Sequence, residues 1–165
     1  MIATWTRFTI LAFAILGGAY GFAMTVRDLL RVDALGFGTI LLHASSLFGF
    51  AFVTAAGILF WHDHTERKLL MWAFGIQVPW ISLPGFVYKF ASGASGMLAL
   101  VASHAGYKYS GGITAKAELG STFEIRVLQN APVEIGVNIV ALALLILLWR
   151  SVQQPVASDC PSGES

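Results

Sequence analysis

The sequence predicts an all-α transmembrane bundle of four spans, about 8–26, 35–61, 69–88 and 132–149, with a small β-hairpin at about 113–128 between spans 3 and 4. Two observations predict it. The 165-residue chain is 56% apolar and 12% charged, whereas an average soluble domain carries about 25% charged residues. Those charges also fall almost entirely between long uncharged runs. A net charge of +1 gives no electrostatic basis for binding nucleic acid. The expected surroundings are the lipid bilayer and another membrane or extramembrane protein, or a second copy of the chain.

The first run lies between Arg7 and Arg27 and is long enough to cross about 30 Å of hydrocarbon at 1.5 Å per residue. It is read as a retained span rather than a cleaved leader, because it is long for a leader core and runs directly into charged residues. Leu35 to Trp61 contains no Asp, Glu, Lys or Arg and closes on an interfacial tryptophan. Leu69 to Tyr88 is interrupted by Pro79 and Pro84 and predicts a kinked third helix. Pro132 and Glu134 read as the first turn of a fourth helix closed by Arg150.

Residues 1–150 thus form one membrane domain with an extramembrane loop over 90–131, and 151–165 read as a disordered polar tail. The lone Cys160 lies in that tail, so no intrachain disulfide can form. Within the loop, 91–105 reads as a helix lying on or dipping into the surface. Ile113 to Leu128 alternates, with Gly120-Ser121 as the turn. Pairing Ala117 with Phe123 and Ala115 with Ile125 would set Lys116 opposite Glu124. A lone hairpin is marginal in water, so its apolar residues Ile113, Phe123, Ile125 and Val127 are the expected partner-binding face.

Five polar residues inside the expected spans are singled out as a candidate intramembrane site. His43 and Ser46 share a face of the second at i, i+3, and Gln77 lies mid-way along the third. Glu134 and Asn138 share a face of the fourth at i, i+4. Ionisable groups at that depth are candidates for a proton, ion or cofactor path. Metal candidates are His43, His62, His64 and His104; no cofactor is expected, because no two histidines sit at a spacing that would clamp haem across the bundle. Gly17-x-x-x-Gly21 and Ser45-x-x-x-Gly49 would let helices approach closely. The sequence contains no nucleophile elbow, phosphate-binding glycine loop or zinc-protease pattern.

Two functions follow as expectations. One is an accessory, assembly or interaction component acting through its extramembrane hairpin, without catalysis. The other is a redox or transport protein using His43. The location expected is the plasma or bacterial inner membrane, with both termini cytoplasmic because the larger folded loop is the part to be exported.

Overall fold

A computed structural model describes residues 4–31, 36–63, 66–105, 108–127 and 132–152. It has two halves, one helical and one β. The first rod runs from α1 (Thr4–Leu11) through a π-helical turn (Ala12–Leu16) into α2 (Gly17–Leu29), and α3 (Phe37–His62) returns beside it. Over Trp5–Leu29 and Phe37–His62 these rods are long and apolar enough to cross a membrane. They approach closely because small residues face the partner. A side chain at Gly21 would collide with the Phe50 ring, and one at Gly57 would collide with Ala14 and Ile15.

The remaining helices are short. α4 (Arg67–Gly75) and α5 (Ile139–Val152) pack against each other, and α4 also packs on α3. Phe50, Val53 and Phe60 of α3 meet Leu70 and Phe74 of α4 and Leu148 of α5 in one fully enclosed apolar core.

The four-span expectation fails beyond this point. The third apolar run is not a kinked helix: α4 ends at Gly75, and the chain enters β1 (Pro79–Leu83) and then β2 (Phe86–Ala91). Proline at 79 cannot donate the next helical hydrogen bond, and Pro84-Gly85, with Gly85 at φ 93°, makes a tight turn between the strands. The fourth run is likewise split, into β6 (Val133–Asn138) and α5. Glu134 is therefore a strand residue, not part of a helical first turn.

The segment read as a surface helix is β3 (Ala94–Ala105), and the expected hairpin is also absent. Both of its strands form, as β4 (Lys108–Leu119) and β5 (Thr122–Val127), but they do not pair with each other. β4 pairs with β3 over its whole length, from Ala94↔Leu119 to Ala105↔Lys108, and β5 pairs with β2. Lys116 consequently lies opposite Met97, and Glu124 opposite Lys89. The longer ladder with β3 outweighs the short local one. Gly120-Ser121 is drawn away to other partners: the Gly120 amide donates to the Gly93 carbonyl, and the Ser121 hydroxyl donates to the Gly17 carbonyl.

The six strands form one antiparallel sheet in the order β4-β3-β6-β1-β2-β5. Its outer strands β4 and β5 are joined by only two residues, which reach about 11 Å at most. In a flat sheet those strands would lie about 24 Å apart, at about 4.8 Å per strand. The sheet must therefore curl until its edges meet at Gly120-Ser121. Ser92-Gly93 imposes the same bend, joining β2 to β3 past the intervening β1 and β6.

Curling separates two chemistries. Residues directly opposite in the ladders share a face. One outward row crosses all six strands as Ile125, Tyr88, Ile81, Ile135, Leu100 and Ile113. The inward row beside it holds Glu124, Lys89, Trp80, Gly136, Ala99 and Thr114. Among the strand residues whose side chains are described, every Lys, Arg, Asp and Glu lies on the inward face.

Candidate functional site

Two polar loci stand out. The first is a cavity of about 360 Å³ between α2, α3 and the start of β5, lined among others by Asp28, Thr25, His43, Ser46, Ser121 and Phe123. Helical spacing brings Thr25 and Asp28 onto one side of α2, and His43, Ser46 and Phe50 onto the facing side of α3. The Thr25 hydroxyl donates to the Gly21 carbonyl at 2.9 Å, so Ser46 donates to Thr25 at 2.9 Å. His43 Nδ1 lies 2.8 Å from the Thr39 carbonyl and must donate to it, so Nε2 is the ring nitrogen left for another partner. Asp28 pairs with its neighbour Arg27 at 3.2 Å, both side chains about half exposed. The cavity can offer an imidazole nitrogen, a carboxylate and hydroxyls over an apolar floor.

The second locus is the enclosed face of the sheet. Lys89 reaches Glu124 at 3.9 Å and Glu134 at 3.8 Å, with Nζ 4.8 Å from the centroid of the Trp80 ring. Arg126 binds the other oxygen of Glu124 at 2.7 Å. Two carboxylates and two cations thus balance, and the Trp80 ring adds a cation–π contact from its buried position. Such a set offers alternate carboxylate partners to one lysine.

Of the five residues expected inside the membrane, His43 and Ser46 line this cavity together. The other three intramembrane candidates sit elsewhere. Gln77 follows α4 and is fully buried; its amide donates to the Ala73 carbonyl, and its oxygen accepts from the Ser92 amide at 2.7 Å. Asn138 ends β6, where its oxygen accepts from the amides of Gly96, Val140 and Ala141, which caps α5. Glu134 and Asn138 do share a face, but through the two-residue period of a strand rather than a helical turn.

The metal candidates are not assembled. His62 ends α3 at the opposite end from His43, His64 lies outside the described residues, and of His104 only the backbone, in β3, is described. Among the described residues no three His, Cys, Asp or Glu side chains come together as a metal site. Ile113, Phe123, Ile125 and Val127 share the outward face, on the two opposite edge strands. Phe123 packs edge-on against Phe50 and Phe90, while Ile113 and Val127 are exposed.

The residues that sequence reasoning missed are Trp80, Lys89 and Glu124. The available signal was alternation: Lys89 and Glu124 each sit between two outward apolar residues, Tyr88 and Phe90 in one case and Phe123 and Ile125 in the other. Comparison with protein-family models, with curated proteins and with solved structures returns no match.

Proposed function

We propose that this chain is an integral, multi-pass membrane protein that works by association, as an accessory or assembly component, rather than by bond chemistry. One observation carries the reading: most of the polar groups that the fold brings inside hold it together, the buried exceptions among the described residues being Trp80 Nε1, Ser92 Oγ and Asn138 Nδ2. Gln77 ties α4 to the Ser92 turn, Asn138 ties α5 to β3, and Ser121 ties the sheet seam to α2. Thr25 and Ser46 join α2 to α3, and Lys89 balances Glu124 and Glu134. Buried groups committed in this way are costly to redirect toward a substrate.

The membrane part of the reading rests on the two long helices, whose outward residues include Trp5, Phe8, Phe37 and Phe48. Trp61 and Trp149 crowd the same end of the helical half as Trp5, as interfacial tryptophans do. The start of α1 and the end of α5 then lie on that side, and the cytoplasmic side of a plasma or bacterial inner membrane suits it, with the sheet toward the far side.

Two measurements test the proposal. Alkaline carbonate should leave the protein in the membrane pellet, and crosslinking in the native membrane should trap it in one stoichiometric complex above the 17.7 kDa of a single chain. A chain that carbonate releases, or that stays uncrosslinked and turns over a substrate alone, would overturn it.

The cavity beside His43 favours a second reading, a transport or redox site. A visible spectrum and metal analysis of the purified protein test its cofactor form. A Soret band or stoichiometric metal that vanishes in His43→Ala would establish that form and displace the accessory role.

A further inference from the structure

We infer that the sheet is not an extramembrane domain but fills one leaflet of the bilayer, with lipid acyl chains against its outward face. This deepens the proposed membrane reading and rests on it.

Polarity is the first ground. The outward row from Ile125 to Ile113 is uncharged across six strands, and so are the rows on either side of it, which include Phe90, Val137 and Leu98 on one side and Phe86, Val127 and Val133 on the other. Away from the helices these rows face out without cover: Leu100 is 65% exposed, Ile113 75% and Ile135 55%, while Phe90 is buried against Phe50 and Phe123. The charged strand side chains that are described lie on the opposite face, where Lys89, Glu124 and Glu134 are largely covered and Lys116, Glu118 and Arg126 are exposed. A water-soluble sheet places them the other way round, whereas a lipid-facing barrel alternates as this one does.

Depth is the second ground, and it is independent of polarity. α5 and α4 stop half-way along the long helices: the seam of the sheet touches Gly17, near the middle of the first rod, and Phe90 and Phe123 meet Phe50 at the middle of α3. From Ile139 to Trp149, α5 rises about 15 Å. Three outward rows of strand, two residues apart, cover about 13 Å between row centres, plus the width of the side chains. Helical and β parts together therefore match about 30 Å of hydrocarbon, the thickness that the two long helices cross alone. The change from helix to strand falls at the bilayer midplane.

Backbone polarity is the third ground. Open sheet edges are not tolerated in lipid. The curl turns the unpaired edges of β4 and β5 toward each other at Gly120-Ser121, and α2 and α3 stand beside that seam. The acyl chains then meet side chains rather than free amides.

Spin labels distinguish the environments. In a Cys160→Ser background, Leu100→Cys and Ile113→Cys are each labelled, together with Phe48→Cys on α3 as a helix-surface reference and Pro84→Cys in the β1–β2 turn as an aqueous reference. The labelled proteins are reconstituted in phosphatidylcholine vesicles. Collision with oxygen and with a water-soluble nickel chelate is then measured. Labels at 100 and 113 should match position 48, with at least a tenfold lower nickel-to-oxygen ratio than position 84.

If 100 and 113 collide with nickel as position 84 does, while carbonate still fails to extract the protein, the leaflet placement is wrong and the membrane reading stands. If carbonate releases the protein, both fail. Shielding from oxygen and nickel alike would put a protein surface, such as a second copy, where lipid is assigned and would overturn the inference. Should Ile113→Cys not fold, Val127→Cys supplies the same comparison on the opposite edge strand.

Discussion

The two halves of this molecule enclose opposite chemistry. In the helical half, phenylalanines and leucines fill the centre, and further apolar side chains face outward. In the sheet half, a lysine, two glutamates and an arginine sit on the enclosed face under Trp80, and the outward face is apolar. Outward polarity is thus common to both halves and inward polarity is not. Backbone explains the difference: a helix satisfies its own amides and needs only packing, while a curled sheet alternates faces and must put something inside.

That contrast can be broken first at the helical core. Phe50→Ala removes the ring that α2, β2 and β5 all meet, and should lose about 3–5 kcal/mol of stability, read as a lowered midpoint of thermal unfolding in detergent. A shift below 1 kcal/mol would show that the halves are not joined there.

The enclosed charges give the next effect. Lys89→Met leaves Glu124 and Glu134 sharing a confined face and should lose about 2 kcal/mol; the side chain is a fifth exposed, so this lies below the full loss for a sealed pair. Lys89→Met combined with Glu134→Gln should recover about half of it. A double variant as unstable as the single one would remove the coupling.

Smaller still, Gln77→Ala strands the buried Ser92 amide and should cost about 1–2 kcal/mol. Faster hydrogen exchange at Ser92 and Gly93 would localise the loss to the junction. Arg27→Ala, at an exposed pair, should change stability by less than about 0.5 kcal/mol.

How much of this was legible in the sequence differs along the chain. The two long helices could be read because their apolar runs exceed any strand and end at charges or tryptophan. The third and fourth runs misled because strand and helix are both apolar there. Trp80 and Val87 are inward strand residues yet apolar, which hid the alternation around Ile81 and Tyr88. β6 leads into α5 without a break, so Val133 to Trp149 reads as one continuous run.

The β4 and β5 segments were visible, but β4 pairs with β3, which reads as a surface helix, and β5 pairs far back along the chain with β2, from Ala91↔Thr122 to Phe86↔Val127, which local charge matching cannot weigh. The neighbourhood of His43 and Ser46 followed from helical spacing. The Lys89 cluster did not, because its residues lie on β2, β5 and β6, strands distant in sequence that the ladders set close together in the sheet.

The central claim is that the sheet is inverted, with lipid outside and charge inside. Consecutive single cysteines from Met97 to Ala102 along β3, labelled and read for oxygen collision in bilayers, test it most directly. The account predicts a two-residue period, with positions 98, 100 and 102 exposed to oxygen and 97, 99 and 101 shielded. A uniform profile, or maxima at the odd positions, would contradict it.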